Sequence, residues 1–196
     1  MGANVIRVES PDGDGLLKQQ PLQNGYGVAY TAYNANKKGL ILDLKSPDSE
    51  PHLRRLIEKA DLIMENLTPG ALDRIGAGYE ASKAINPSVV YASSPGWGYI
   101  GPIKDLGAGD PDFQAFSGFA SLNGDEGGRM EMFRHAYPLD LHAGILFAAT
   151  ALLGLLARDK TGRSPWVNTS HLGNSLLLVL WFQPHIAFVG RMFYPV

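Results

Sequence analysis

The stretch from residue 61 to residue 93 decides the fold class of this 196-residue chain. It opens with Asp61-Leu-Ile-Met-Glu65 and closes with Ser88-Val-Val-Tyr-Ala-Ser93, and both runs are short and apolar, as buried strands are. Between them lie the turn signal Asn66-Leu-Thr-Pro-Gly70 and a helical pattern at 79–85. Two strands separated by a helix and short loops predict a parallel pair with a crossover helix.

The same alternation of strands and helices extends toward the N-terminus. Val5-Ile-Arg-Val-Glu9 predicts a first strand, and Gly39-Leu-Ile-Leu-Asp-Leu44 predicts a second. Ser46-Pro47 predicts the start of a helix that runs to about residue 59, because serine caps a helix and proline suits its first position. Residues 12–37 have no clear hydrophobic period and predict a long loop. The order is typical of an α/β domain with a mainly parallel sheet flanked by helices.

The C-terminal half continues the pattern with longer helices. A glycine-rich segment surrounds a helical patch at 113–120, and an apolar helix is predicted over Ile145–Ala157. A last strand at Val167–Ser170 precedes an apolar helix from Leu172. Such a sheet has an exposed edge at each end and an apolar last helix. We expect these surfaces to be covered by a partner or by the rest of a longer protein.

Composition narrows the class of protein. The chain is 45% hydrophobic and 18% charged, with a mean hydropathy of −0.07, which indicates a soluble globular protein. Its net charge of −2 gives no sign of a nucleic-acid partner. It has no cysteine, which excludes a disulfide framework and a thiol nucleophile and suits the cytoplasm. The apolar run Ile145–Ala157 is shorter than the roughly 20 residues of a membrane span, so we expect a buried helix and no membrane partner.

One carboxylate stands directly before that apolar run. Tyr137-Pro-Leu-Asp-Leu-His-Ala-Gly144 places Asp140 at the predicted start of the helix. The residues alone favour a plain N-cap, since aspartate accepts hydrogen bonds from the first free amides. The same geometry suits a nucleophile, because a helix N-terminus keeps a carboxylate ionised and carboxylates form covalent acyl intermediates. Both roles for Asp140 stay open on local grounds.

The other motifs argue against several kinds of site. The chain has no phosphate loop, no G-x-S-x-G elbow and no G-x-G-x-x-G that closes a first strand. The histidines show no metal-ligand spacing, so we expect no metal site, and for His142 we expect a satisfied structural role. The five histidines are His52, His135, His142, His171 and His185. Among the basic residues, Arg7, Lys45 and Arg74 stand out as phosphate ligands because each lies at or just beyond a predicted strand end.

Seven short blocks of sequence occur in order along the chain. They are Gly2–Glu9, Asn36–Lys45, Glu65–Arg74, Ile85–Tyr91, Gln114–Gly118, Asp140–Gly144 and Lys160–Arg163. Each block is weak alone, but their order and spacing across essentially the whole chain resemble the class III CoA-transferase family, which includes formyl-CoA transferase, carnitine CoA-transferase and α-methylacyl-CoA racemase. The resemblance implies a Rossmann-like fold that is incomplete relative to the family's large domain. Residues 1–196 would then form part of that CoA-binding, nucleophile-bearing domain, with the small domain and the C-terminal return absent.

The resemblance implies an enzyme that transfers coenzyme A from an acyl-CoA donor to a carboxylic acid acceptor. Asp140 would be the nucleophile, forming first an aspartyl anhydride and then an aspartyl-CoA thioester. Acyl-CoA is a substrate, and no permanently bound cofactor or metal is implied. The implied contacts to coenzyme A are Leu42, Lys45, Asn66, Leu67 and Arg74, with Arg7 near the nucleotide phosphates.

Departures from the family pattern shape the alternatives. Thr68 stands where many relatives have a basic residue, and Gly109 stands where racemases carry a histidine before the acid that matches Asp110. Transfer is therefore favoured over racemisation. The family forms interlocked dimers, and this chain is too short for such a ring, so we expect a homodimer or a complementary subunit. The alternatives left open are a non-catalytic CoA-binding subunit or fragment, and an acyl-CoA racemase or isomerase.

Overall fold

A computed structural model of the chain describes residues 2–19, 21–124, 129–134 and 137–180. The chain divides into two compact units, Met1–Leu56 and Ile57–Val196. Both contain parallel strands with helices between them, so the α/β class predicted from the sequence is confirmed.

The N-terminal unit is built on one parallel pair of strands. Strand β1 (Ile6–Glu9) pairs with β4 (Lys38–Ile41). The intervening segment, predicted to be a long loop, instead holds a 3₁₀ helix and several short elements. That prediction was wrong because elements of two to six residues carry no detectable hydrophobic period. The elements are the 3₁₀ helix Gly15–Lys18, strands β2 (Leu22–Gln23) and β3 (Tyr26–Gly27), and helix α1 (Val28–Tyr33).

The helix predicted after Ser46 forms where the capping residues place it. The Ser46 hydroxyl accepts the Asp48 amide at 3.3 Å, and Pro47–Ser49 makes a 3₁₀ turn. Helix α2 (Glu50–Lys59) follows directly. The serine cap and the proline at the first helical position therefore act as predicted.

The C-terminal unit contains a three-stranded parallel sheet with β6 at its centre. Strand β5 (Leu62–Glu65), β6 (Val90–Ser93) and β7 (Trp166–Asn168) follow the predicted order. Helix α3 (Tyr79–Ile85) crosses from β5 to β6. Every residue of β6 is buried, as expected for a central strand with neighbours on both edges.

Three further helices belong to this unit: α4 (Asp110–Phe116), α5 (Pro138–Thr161) and α6 (His171–Val179). Helix α5 packs on the sheet, and α4 and α6 pack against α5. Phe147 and Ala151 of α5 pack with Ala92 of β6 in the core. Gly154 allows close approach, because a Cβ added there would lie 2.8 Å from Val90 Cγ1. Helix α5 thus lies against the central strand with very little space between them.

Helix α5 is longer than the sequence predicted. It has 24 residues and continues beyond the apolar run, which ends at Ala157, as far as Thr161. Among the described residues it is the one helix long and apolar enough to cross a membrane by length and composition, so the argument from a short apolar run does not hold for it. One face packs on the sheet, while Ile145 is 70% exposed and Leu153 is 64% exposed. The helix is therefore both a core element and the source of an exposed apolar surface.

Candidate active site

Asp140 lies inside the first turn of α5 and does not cap it. The N-cap residue is Tyr137, which has a left-handed backbone with φ of 44°, and Pro138 is the first helical residue. Asp140 is therefore the third residue of the helix, so its own amide needs an acceptor. The N-cap role favoured for Asp140 on local grounds is wrong, because the helix begins three residues earlier than that role requires.

The acceptor for this helix start is Asp110 of α4. Its Oδ2 accepts the amides of Leu139 at 2.8 Å and Asp140 at 3.0 Å, and its Oδ1 accepts the Gln114 side-chain amide. Gln114 is in turn held by the backbone of Phe133, at 2.7 and 2.8 Å. Asp110 is only 1% exposed. A buried carboxylate from another helix thus positions the backbone of Asp140, a role that sequence reasoning missed.

The Asp140 side chain contacts His171, the first residue of α6. His171 Nδ1 lies 3.1 Å from Asp140 Oδ1. The Asp140 side chain is 39% exposed and that of His171 is 13% exposed. The imidazole also packs against Phe113, with ring centroids 5.3 Å apart. The histidine is thus held in the fold, and the carboxylate remains accessible to solvent.

This pair lies beside the segment that follows the carboxyl end of β6. The amides of His171 and Leu172 donate to the carbonyls of Pro95 and Gly96, at 3.2 and 3.0 Å. Ligands of parallel α/β sheets bind outside the carboxyl ends of the strands. One turn after Asp140, a Cβ added to Gly144 would meet nothing within 4 Å. The helix surface beside the carboxylate is therefore open.

A second group of predicted residues lies on the loop that follows β5. Asn66, Leu67 and Arg74 are all exposed there. The Leu67 amide donates to Glu65 Oε2 at 2.8 Å, and the Arg74 amide donates to the Gly70 carbonyl at 3.2 Å. Across the described part of the chain, no carboxylate forms an ion pair with Arg74. The structure therefore brings these three predicted CoA contacts together on one loop.

A small cavity of about 110 Å³ adjoins this loop. Tyr79 stacks on Trp166 in its wall, and the Tyr99 hydroxyl donates to Glu65 Oε1 at 3.3 Å. Burial raises the pKa of Glu65 and raises the pKa of Tyr99 to about 12. Asp140 does not line this cavity. The cavity is thus an aromatic compartment separate from the carboxylate, and no sequence motif indicated it.

The remaining predicted contacts belong to the N-terminal unit. Leu42 follows β4 and its amide donates to the Glu9 carbonyl at 2.9 Å, while Lys45 is exposed. Arg7 pairs with Glu9 at 3.1 Å and with Asp14. Two carboxylates therefore already compensate the charge of Arg7, whereas Lys45 has no such partner among the described residues.

The histidines do not gather into a metal site within the described ranges. There, no group of three His, Cys, Asp or Glu residues is arranged to hold a metal ion. The Nε2 atom of His142 is buried without a hydrogen-bond partner among the described residues, so the satisfied structural role expected for it is not observed. His135 and His185 lie outside the described residues.

The fold agrees with comparison to known families. The sequence model of CoA-transferase family III matches residues 1–189. The match covers nearly the whole chain, so the chain belongs to this family. The predicted resemblance is confirmed, and the curated relatives of the chain are CoA-transferases.

Three relatives illustrate the similarity. The acetyl-CoA:oxalate CoA-transferase of Acetobacter aceti is 30% identical, and the match covers 90% of this chain and 46% of the relative. The formyl-CoA:oxalate CoA-transferase of Streptomyces avermitilis is 35% identical, and the match covers 87% of this chain and 41% of the relative. The succinyl-CoA:glutarate CoA-transferase of Homo sapiens is 30% identical, and the match covers 90% of this chain and 40% of the relative. The chain thus matches less than half the length of these relatives.

A solved structure gives the same picture. A CAIB/BAIF family protein from Brucella suis superposes with a TM-score of 0.88 at 26% sequence identity. The superposition covers 98% of this chain and 52% of that protein. The described fold is therefore the fold of about half of that family member.

Proposed function

We propose that the protein transfers coenzyme A from an acyl-CoA donor to a carboxylic acid acceptor through a covalent intermediate on Asp140. One structural observation supports this proposal in addition to family membership. Asp110 satisfies the backbone amides at the start of α5, so the Asp140 carboxylate is not used as a cap. Its side chain is 39% exposed, and no described residue donates to its Oδ2. An accessible, ionised oxygen is what a carboxylate nucleophile requires.

The proposed reaction proceeds in four balanced steps. An Asp140 oxygen attacks the thioester carbonyl, the C–S bond breaks, and an aspartyl anhydride and CoA thiolate form. The thiolate then attacks Cγ of Asp140, giving an aspartyl-CoA thioester and releasing the donor carboxylate. The acceptor carboxylate attacks the same Cγ, the Cγ–S bond breaks, and a new anhydride and CoA thiolate form. The thiolate finally attacks the acceptor's carbonyl carbon, the C–O bond of the anhydride breaks, and the acyl-CoA product and the free Asp140 carboxylate are released. Covalent catalysis thus replaces one difficult transfer with easier steps.

We propose that exposed cations hold the CoA nucleotide. Lys45 and Arg74 are exposed and have no carboxylate partner among the described residues, so each can bind a phosphate at little cost. Arg7 would have to exchange or share its two carboxylates to do the same. Leu42, Asn66 and Leu67 would line the remaining length of the bound coenzyme.

We also propose that the two units are part of a larger CoA-binding domain and that the protein acts in the cytoplasm with a second copy or a complementary subunit. Apolar side chains left exposed on α5 support the need for a partner. The names of the relatives pair CoA donors with oxalate or glutarate. A small carboxylic acid is therefore the class of acceptor to test first.

The decisive experiment traps the covalent intermediate. The protein is mixed with acetyl-CoA, formyl-CoA or succinyl-CoA, treated with hydroxylamine or borohydride, and mapped by peptide mass spectrometry. We expect modification at Asp140 in the wild type and none in Asp140→Asn. Asp159→Asn is the matched control, because Asp159 lies on the same helix and its side chain is 66% exposed.

Two other outcomes would contradict the proposal and identify an alternative. Binding of CoA without any adduct would indicate a non-catalytic CoA-binding protein. Exchange of the substrate α-proton with deuterated water that persists in Asp140→Asn would indicate an isomerase.

A further inference from the structure

We infer that His171 is the hydrogen-bond donor that orients Asp140 and then stabilises negative charge on its Oδ1 atom during transfer. The inference rests on the proposed function, since it assigns a role within that reaction. It starts from the 3.1 Å contact between His171 Nδ1 and Asp140 Oδ1. Neither a motif nor the histidine spacing pointed to this residue.

The direction of this hydrogen bond follows from the two groups. An ionised carboxylate only accepts hydrogen bonds, so Nδ1 of His171 has to carry the proton that it shares with Oδ1. The imidazole is held in place, because the backbone amide of His171 donates to Pro95 and its ring packs against Phe113. Such a donor is preorganised and fixes the rotation of the carboxylate.

The contact also distinguishes the two oxygens of Asp140. His171 occupies Oδ1, and no described residue donates to Oδ2. Oδ2 is therefore the oxygen that attacks the thioester, and it becomes the bridging oxygen of the anhydride. Oδ1 remains the carbonyl oxygen of both the anhydride and the CoA thioester, still beside His171.

The other donors near this atom are already engaged. The amides of Leu139 and Asp140 donate to Asp110, and the Leu141 amide donates to the Tyr137 carbonyl at 3.0 Å. Within the described residues, His171 is the one donor to the Asp140 carboxylate. The free amides at the helix N-terminus thus donate to Asp110, so the His171 imidazole is the group that stabilises negative charge on Asp140 Oδ1.

The charge reaches Oδ1 in particular steps. When CoA thiolate or the acceptor carboxylate attacks Cγ, the C=O electrons move onto Oδ1 and return when the leaving group departs. A preorganised donor at that atom lowers the barrier to both attacks. In the first step the charge instead develops on the substrate carbonyl oxygen, so His171 contributes there only by orienting Asp140.

His171 is expected to matter more for the attacks on Cγ than for the first step. A purely structural residue would not show this difference, so the difference can be used as a test. His171→Leu removes the donor, and His171→Asn keeps an N–H near the position of Nδ1. Each protein is mixed with the acyl-CoA that labels the wild type, without acceptor, and is quenched for intact mass. Circular dichroism checks that the variants are folded.

We expect His171→Leu to accumulate the acyl adduct, because conversion to the CoA adduct slows by about 100-fold, the typical loss for one oxyanion donor. His171→Asn should restore most of the CoA adduct. If the wild type and both variants show the same ratio of acyl to CoA adduct, the inference is overturned while the proposed function stands.

A spectroscopic measurement distinguishes failure of this inference from failure of the proposed function. Two-bond ¹H–¹⁵N spectra should show the Nδ1–H form of His171 in the wild type and a changed signal in Asp140→Asn. An Nε2–H form in the wild type would overturn the inference whatever the activity. Absence of any wild-type adduct, with the Nδ1–H form present, would overturn the proposed function and leave the contact without a catalytic role.

Discussion

Two aspartates near the start of α5 have opposite environments and different roles. Asp110 is buried and its oxygens accept three hydrogen bonds, from two backbone amides and one side-chain amide. Asp140 is partly exposed and contacts one imidazole. A carboxylate surrounded by donors is stabilised as an anion but is unavailable to a substrate. Burial therefore assigns the structural role to Asp110 and leaves Asp140 for chemistry.

At this scale we predict that Asp110→Ala destabilises the protein by about 3 kcal/mol or more, because three donors lose a buried acceptor. Urea denaturation measures the change in the free energy of unfolding. Asp112→Ala is the matched control: Asp112 is exposed and, among the described residues, accepts only the Gly109 amide, at 2.9 Å. Asp112→Ala should lower the free energy of unfolding by about 1 kcal/mol. Equal losses in the two variants would contradict the capping role of Asp110.

The packing of α5 on the sheet depends on a small residue at one position. Phe147 and Ala151 bury against Ala92, while Gly154 faces Val90 and Val167 at short range. Protein interiors are packed closely enough that one added methyl group requires neighbours to move. The position of the helix, and of Asp140 at its N-terminal end, therefore depends on Gly154.

We predict that Gly154→Ala lowers the free energy of unfolding by about 1–2 kcal/mol, because the new Cβ would overlap Val90 Cγ1. Gly144→Ala is the matched control on the same helix, since an added Cβ there meets nothing within 4 Å. It should raise stability by about 0.5–1 kcal/mol through helix propensity. Thermal and urea unfolding of both variants provide the measurement, and a stabilising Gly154→Ala would contradict the packing argument.

At the scale of the whole molecule, exposed apolar side chains point to association. Leu153 and Leu156 of α5 are 64% and 56% exposed, and Leu177 of α6 is 56% exposed. Leu153 and Leu156 lie three residues apart on one helix, and a cluster of exposed apolar side chains marks an interaction site. The chain also matches less than half the length of these curated relatives.

We predict that the protein self-associates or binds a complementary chain and that Leu153→Lys weakens this association by about tenfold or more. Burial of a leucine contributes about 1.5–3 kcal/mol, which a buried lysine would forfeit. Light scattering coupled to size-exclusion chromatography, over a range of concentrations, measures the effect. Asp159→Lys makes a larger charge change at an exposed site of the same helix and should leave association unchanged.

The amino-acid sequence by itself determined the α/β class, the order of strands and helices, and the family. Hydrophobic period, serine capping and glycine turns act between near neighbours, so Ser46 marked the start of its helix correctly. The segment at 12–37 was mispredicted because its elements are too short to show a period. Asp140 was identified by its block of sequence, although its position relative to the helix start was not.

Only the tertiary structure decided how the site is held. Asp110 reaches the amides of α5 from 29 and 30 residues away, and His171 reaches the Asp140 carboxylate from 31 residues away. Contacts over such separations arise when α4 and α6 pack against α5, and no local period encodes them. The sequence therefore specified the nucleophile candidate, and packing specified its cap and its hydrogen-bond donor.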